Sequence, residues 1–210
     1  MSRSLPRRFY AGSAVEVAPR LLNKVLVRTG GAGRPARSGR IVEVEAYRGG
    51  ADPASHAYRG RTARNATMFG PPGRMYVYFT YGMHFCANVV CMPDGIPEAV
   101  LLRALAPLRG LDEMRACRRV AGDHRLASGP AKLCQAMGIS REQDGVDLVS
   151  GAGGLRIVDD GVAPPECPGV SARVGIRVAV EEHWRWWVPD DPNVSPGRAA
   201  RAGDAVTSPL

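Results

Sequence analysis

Lysine is almost absent from this sequence. Only Lys24 and Lys132 occur, whereas the other 26 of the 28 basic residues are arginines. An enzyme that forms a Schiff base needs an amine nucleophile, so the shortage leaves few candidates for that chemistry. The arginine excess itself is as compatible with codon composition as with phosphate recognition.

Membrane and export signals are also missing. No apolar run approaches the roughly 18 residues that would span a bilayer. The arginines near the N-terminus are not followed by an apolar stretch that ends in a small-residue cleavage site. We therefore expect a cytoplasmic protein with no membrane partner.

Paired cysteine motifs do not occur either. The five cysteines are an odd number, no two of them form a Cys-x-x-Cys pair, and no His-x-x-x-His spacing accompanies them. This pattern argues against a disulfide framework and against a zinc module. Cys86 and Cys91 lie in an apolar, strand-like run, where we expect small core residues rather than metal ligands.

What the sequence does have is length, apolar content and positive charge. Its 210 residues are 45% hydrophobic, enough for one domain with a full core. We predict a domain over residues 1–195, with residues 1–10 frayed and a disordered tail over 196–210. The net charge of +8 favours a polyanionic partner, because each basic group that neutralises a phosphate releases a counterion.

The hydrophobic periodicity, together with glycines and prolines that mark the ends of elements, predicts short helices among many strands. Helices are expected over 15–22, 110–118 and 128–137, the last with Ser128 as N-cap and Gly138 as its C-terminal stop. Strands are expected over 24–28, 39–47, 75–92 (two strands broken near 80–82), 99–105, 155–158 and 174–180. The three tryptophans of 184–187 are expected in the core at the end of a final strand.

The strand at 39–47 alternates with period two. Two faces result, one with Val42, Val44 and Ala46 and the other with Glu43, Glu45 and Tyr47. Residues 48–74, rich in Gly, Pro, Arg and Asn, form a connection too long for an inert loop, which favours a functional one. Arg103 is the only charge inside the strand at 99–105, so it needs a partner or a ligand.

Glu45 is a candidate for hydrolytic chemistry at a purine N-glycoside. That reaction builds positive charge on the sugar while water approaches, so it needs an ionised carboxylate to take a proton and offset the charge. Glu45 shares its face with Tyr47, and flanking glycines allow a ligand close to the backbone. A solvated surface glutamate is the alternative interpretation.

Aromatic residues crowd two short segments. They are Tyr47, Tyr76, Tyr78, Tyr81 and Phe85. Aromatic faces hold an extruded base at roughly 1–3 kcal/mol per base, and tyrosine faces also attract a cationic one. We assign Phe79 and Phe85 to the core, whereas Tyr81 precedes Gly82 at a turn tip and is a candidate wedge for a base step.

Several motifs carry a resemblance that covers nearly the whole chain, from about Phe9 to Ser195. They lie at 39–47 (GRIVEVEAY), 55–56, 64–65, 68–69, 76–83 (YVYFTYGM), 85–88, 101–105 and 128–135 (SGPAKLCQ). The chain resembles the alkyladenine (3-methyladenine, methylpurine) DNA glycosylases shared by animals and many bacteria. This resemblance, more than periodicity, implies a single mixed α/β (α+β) domain with a curved, largely antiparallel sheet and helices packed at its edges.

The resemblance implies roles for individual positions. Glu45 would be the general base, and Arg103 would lie beside the attacking water. The base-binding residues would be Tyr47 and His56 on one face of the flipped base, Tyr78 on the other, and Asn88 crowding the pocket against the amino group of normal guanine. Tyr81 would fill the gap left in the duplex, with Met83 beside it.

The basic groups expected to hold the DNA backbone are Arg59, Arg61 and Arg64 in the long loop and Lys132 at a helix start. Two departures from the family pattern stand out. His84 occupies a position near the wedge where the family often has another aromatic residue. Residues 192–195 match the closing motif of the family only loosely.

The function that the resemblance implies is a monofunctional DNA glycosylase of base excision repair, acting on damaged purines in double-stranded bacterial DNA. It would work as a monomer, without metal or cofactor and without lyase activity. A catalytically silent binder of distorted nucleic acid is the main alternative. An O-glycoside hydrolase that uses Glu43 and Glu45 is another, although neighbours on one strand face point in parallel rather than across a sugar.

Overall fold

The computed structural model describes residues 3–31, 33, 35–80, 82–120 and 122–196. Nine strands in this part of the chain form one sheet: β1 (Arg3–Ser4), β2 (Val25–Arg28), β3 (Arg37–Tyr47), β4 (Met75–Thr80), β5 (His84–Cys91), β6 (Glu98–Arg109), β7 (Leu155–Asp159), β8 (Gly169–Ser171) and β9 (Arg185–Trp187). The α-helices are α1 (Arg7–Tyr10), α2 (Ala14–Leu21), α3 (Leu111–Arg118) and α4 (Pro130–Met137). Short 3-10 turns lie at Gly49–Ala51, Ala66–Phe69, Asp123–Arg125 and Arg141–Gln143.

The sheet is antiparallel and strongly curled, with the strand order β1-β7-β2-β3-β6-β5-β4. The long strand β3 pairs with β6 along one edge, while β2 and then β9 follow each other along its other edge. This mixed α/β domain with a curved antiparallel sheet confirms the predicted fold class.

A bulge in β3 changes which residues face the core. Ile41 pairs with Leu105 and Glu43 with Ala104, so Val42 is the extra residue of β3. A bulge adds local bend and twist and shifts the alternation of side chains. Ile41, Val44 and Ala46 therefore lie in the main core, and Val42, predicted to share that face, is buried outside the cluster.

Helix α2 and helix α4 cover the concave core with apolar side chains. The first begins at a capping box, in which Ser13 and Glu16 satisfy each other's backbone amides. The N-cap of α4 is Gly129 rather than the predicted Ser128, because Ser128 still forms a strand bridge to Ala104. Gly138 ends α4 in the left-handed conformation, as predicted.

Two other expectations differ from the structure. Residues 3–10 are not frayed, since β1 pairs with β7 and Tyr10 is fully buried in the core. Residues 174–180 do not form a strand, and the last strands are instead β8 and β9, where Trp186 joins the core as expected. The predicted tail over 196–210 lies outside the described residues from 197 onward.

The helices in the described part of the chain are all too short or too polar to cross a membrane.

Candidate active site

A cavity of about 280 Å³ opens beside the C-terminal half of β3. Its wall comes from five parts of the chain: the end of β3, the loop 48–74, the strands β4 to β6, Pro130 at the start of α4, and the segment 174–176. The residues that carry its chemistry are Tyr47, Ser55, His56, Tyr76, Tyr78, Cys86, Asn88, Arg103 and Val174. The predicted catalytic arginine and all four predicted base-binding residues therefore line one space.

The Glu45 carboxylate lies directly behind this wall and has no exposed surface. Its Oε2 accepts a hydrogen bond of 2.9 Å from the Tyr47 hydroxyl. Its Oε1 accepts one of 2.7 Å from the Val174 amide and lies 3.2 Å from Nη1 of Arg103. These three partners themselves line the cavity, so the carboxylate is one layer of atoms away from it.

Glu43 holds Arg103 in place from the other side. Its Oε1 accepts from Nε of Arg103 at 2.7 Å and from Nε of Arg185 at 2.7 Å. Burial by itself raises the pKa of Glu43, but the two guanidinium charges and its hydrogen bonds outweigh burial, and the net pKa is lowered. Glu43 is therefore an ionised anchor for the arginine that faces Glu45.

Ser195 closes this network from the end of the described chain. Its amide donates to Oε2 of Glu43 at 2.7 Å, and its hydroxyl contacts Oε1 of Glu43 at 2.9 Å and Nη2 of Arg103 at 3.1 Å. Sequence reasoning reached Ser195 only as part of a loosely matched motif and missed Arg185, because both meet β3 through tertiary contacts about 140–150 residues away along the chain. The loosely matched closing motif was the one signal that could have found Ser195.

His56, Tyr76 and Tyr78 form one contiguous aromatic part of the cavity wall, so His56 and Tyr78 do not lie on opposite sides of a gap, as the resemblance implied. The rings of His56 and Tyr78 meet edge to face with centroids 4.3 Å apart, and Nδ1 of His56 lies 3.1 Å from the Tyr76 hydroxyl. Although His56 is exposed overall, desolvation of its ring, and secondly the charge of Arg64, lower its pKa. The neutral ring is therefore favoured, with one nitrogen that donates and one that accepts.

Asn88 reaches the cavity from β5 and is nearly buried. Its amide nitrogen donates to the carbonyl of Tyr76 across the β4–β5 pair at 3.2 Å. Asn65 makes similar bonds in the long loop, where its side-chain amide donates to the backbone carbonyls of His56 and Gly60. The loop that carries His56 is thus fixed by hydrogen bonds.

The hairpin tip between β4 and β5 is apolar and exposed. Met83 is 67% exposed, whereas Tyr81, the predicted wedge, lies outside the described residues. Phe79 was predicted to be core but is 41% exposed, because it lies one residue before the end of β4, outside the core cluster. Phe85 is partly buried against the core and packs on Phe79 at 5.0 Å.

The residues predicted to contact the DNA backbone lie in the long loop and in the first turn of α4. Arg59, Arg61 and Arg64 are exposed in the long loop, and Nη2 of Arg64 donates to the carbonyl of Phe79 at 3.2 Å. Lys132 lies in the first turn of α4, two residues after Pro130, which lines the cavity. Cys86 and Cys91 are both buried and free, with Cys91 in the core and Cys86 at the cavity wall.

Comparisons with known proteins identify the family of this chain. A family model for methylpurine-DNA glycosylase (MPG) matches residues 8–192. Three relatives carry the name "Putative 3-methyladenine DNA glycosylase". The protein from Burkholderia cenocepacia (strain HI2424) is 58% identical over 192 residues, which are 91% of this chain and 90% of the relative. Those from Streptomyces avermitilis and Chlorobaculum parvum are 48% and 45% identical, each over 93% of this chain and 92% of the relative.

Proposed function

Since the chain belongs to the methylpurine-DNA glycosylase family, we propose that it acts as a monomer on double-stranded DNA, flips alkylated purines such as 3-methyladenine out of the duplex and hydrolyses their N-glycosidic bond. The observation that carries this proposal is the buried pair of Glu45 and Arg103 behind a cavity walled by tyrosines.

The Glu45 carboxylate has one hydrogen-bond acceptor position that none of its described partners occupies. A carboxylate offers about four lone-pair positions on its two oxygens. Val174 and Arg103 occupy Oε1, and the Tyr47 hydroxyl takes one position on Oε2. Among the described residues, nothing else donates to Oε2, so a water could be held there by the remaining position.

The reaction needs a proton acceptor and a compensating charge. The oxygen of the water attacks C1′ of the sugar, its proton passes to Glu45, and the base leaves with the electron pair of the broken C–N bond. A cationic alkylated purine leaves as a neutral base, which makes this step easier. The ionised carboxylate also offsets the positive charge that develops on the sugar.

The substrate must open the wall to reach this carboxylate. Because Glu45 has no exposed surface, a small movement of the segment that begins at Val174 is required before water and sugar can approach Oε2. Gly175, which follows in the left-handed conformation, supplies a residue that adjusts its backbone at low cost.

The placement of the two lysines supports a proposal of base release without strand cleavage. Lys24 is buried and paired with Asp159 at 2.9 Å, and neither Lys24 nor Lys132 lines the cavity. The cavity lining therefore contains no lysine amine that could form a Schiff base with the sugar.

The decisive test is Glu45→Gln. We expect single-turnover release of 3-methyladenine or hypoxanthine from duplex oligonucleotides to fall by about 10²-fold or more, because the general base is lost. Binding of the lesion duplex should persist. The exposed Glu142→Gln is the matched control and should behave as the wild type.

Turnover at the wild-type rate in Glu45→Gln would contradict the mechanism. If the wild-type protein binds damaged duplex but releases no base from any lesion in the panel, the chain is instead a catalytically silent binder of distorted DNA.

A further inference from the structure

Arg173 has no exposed surface and takes no part in the reaction proposed above. Its Nη1 donates to Oδ2 of Asp52 at 2.6 Å and to the carbonyl of Ala46 at 3.0 Å, and its Nη2 donates to Oδ1 of Asp52 at 2.9 Å. Two parallel hydrogen bonds to one carboxylate fix both the position and the plane of a guanidinium group.

The same guanidinium covers the ring of Tyr47. Its Cζ lies 4.6 Å from the centre of that ring and 5.1 Å from the Trp184 ring. Tyr47 lines the cavity, whereas Arg173 is buried and does not reach it. The covered ring face is therefore turned away from the cavity, and the stacking ring has a fixed positive charge behind it.

A cation behind an aromatic ring weakens what the ring offers to a second cation. The attraction comes from the negative faces of the ring quadrupole, and the first cation polarises that electron density toward itself. A cationic base stacked on the cavity side also meets the like charge of the guanidinium through the ring. A neutral base suffers neither penalty.

We propose that Arg173 is a specificity-determining residue that lowers the preference of Tyr47 for cationic purines and so favours neutral damaged purines relative to them. The inference rests on the proposed function, because it requires Tyr47 to stack on the flipped base.

The negative charge of Asp52 allows the direction of the effect on base preference to be tested. Its carboxylate is fully buried against the guanidinium and neutralises part of its charge. Removing the carboxylate alone leaves the positive charge behind Tyr47 unopposed. Removing both charges leaves the ring with its full quadrupole.

The experiment compares single-turnover release of a cationic base, 7-methylguanine, with that of a neutral base, hypoxanthine, from otherwise identical duplexes. In Asp52→Asn, we expect the ratio of cationic to neutral release to fall by about threefold or more. In the double variant Arg173→Gln with Asp52→Asn, we expect it to rise by a similar factor. Arg173→Lys keeps the charge and should stay near the wild-type ratio, even where its absolute rates fall.

The matched control is Arg20→Gln. Arg20 stands 4.6 Å over the Phe9 ring, at the same distance as Arg173 over Tyr47 but away from the cavity, so the ratio should not change. Thermal melts show which variants are folded. If the double variant does not fold, the direction in which the release ratio changes in Asp52→Asn tests the proposal.

Equal losses on both bases in folded variants, or an unchanged ratio, would overturn the inference and leave Arg173 a purely structural residue. A wild-type protein that releases neither base would instead overturn the proposed function, and this inference with it.

Discussion

Glu43 and Glu45 lie two residues apart on strand β3, and their carboxylates have different hydrogen-bond and ion-pair partners. Glu43 receives four contacts from Arg103, Arg185 and Ser195, which occupy its oxygens. Glu45 receives three, which leaves one acceptor position on its oxygens. In the mechanism that we propose, two like carboxylates therefore take different roles: Glu43 positions Arg103 and Glu45 accepts a proton.

The anchoring role of Glu43 predicts a pH-dependent loss of stability. Glu43→Gln leaves two buried guanidinium groups without their shared anion, so the free energy of unfolding at pH 7 should fall by roughly 3–5 kcal/mol. The folded-state pKa of Glu43 is lowered, so its contribution is complete above 4.5, the value for the unfolded chain, and is lost as the pH falls through the folded-state pKa.

Urea unfolding of wild type and Glu43→Gln at a series of pH values measures this difference. It should be constant at neutral pH and shrink as the pH drops below 4.5. A difference that stays constant into strong acid would show that Glu43 acts through packing rather than through its charge. Arg115→Gln, which breaks exposed pairs with Asp112 and Asp123, serves as a control of small effect.

At the scale of elements, the β4–β5 hairpin combines a cavity wall with an exposed apolar tip. Tyr78 and Asn88 face the cavity, whereas Met83 projects into solvent just after Gly82, which has φ 68°. An apolar side chain at such a tip can enter a base step and stabilise the space that a flipped nucleotide leaves.

Met83→Ala should therefore weaken the affinity for a lesion duplex by about threefold to tenfold, since the unstacked step loses an apolar contact. Fluorescence anisotropy with labelled lesion and undamaged duplexes checks this, and the loss should be larger for the lesion duplex. Val162→Ala removes another exposed apolar side chain, beyond the cavity lining, and is the control. If Met83→Ala and Val162→Ala both bind the lesion duplex with the wild-type affinity, Met83 does not act in the duplex.

How far the sequence predicts these elements depends on the range of the forces that fix them. Period-two alternation located β3, and the turn residues located the β4–β5 hairpin, because both patterns are local. The bulge at Val42 and the replacement of Ser128 by Gly129 as N-cap depend on pairing with β6, which no local pattern encodes. Glu45 and Arg103 were singled out from local patterns, and the resemblance then gave their roles. Arg173, Arg185 and Ser195 act through contacts that only the folded chain creates.

At the scale of the whole molecule, buried and surface charges have separate roles. Behind the cavity, the carboxylates of Glu43, Glu45 and Asp52 are balanced by three arginines, Arg103, Arg173 and Arg185. The net charge of +8 therefore resides outside this cluster. Arg59 and Arg61 carry part of it on the exposed loop that also supplies His56 to the cavity.

The surface charge predicts a steep dependence of DNA binding on salt. A plot of log K against log salt concentration has a slope of about −0.9 for each phosphate that a basic group neutralises. Arg59→Gln and Arg61→Gln should each make the slope less steep by about that amount, and should weaken lesion and undamaged duplexes alike. Arg156→Gln, on the exposed side of β7 outside the cavity lining, should leave the slope unchanged. If all three variants share the wild-type slope, the loop beside the cavity does not follow the DNA backbone, and the phosphate contacts must come from other arginines.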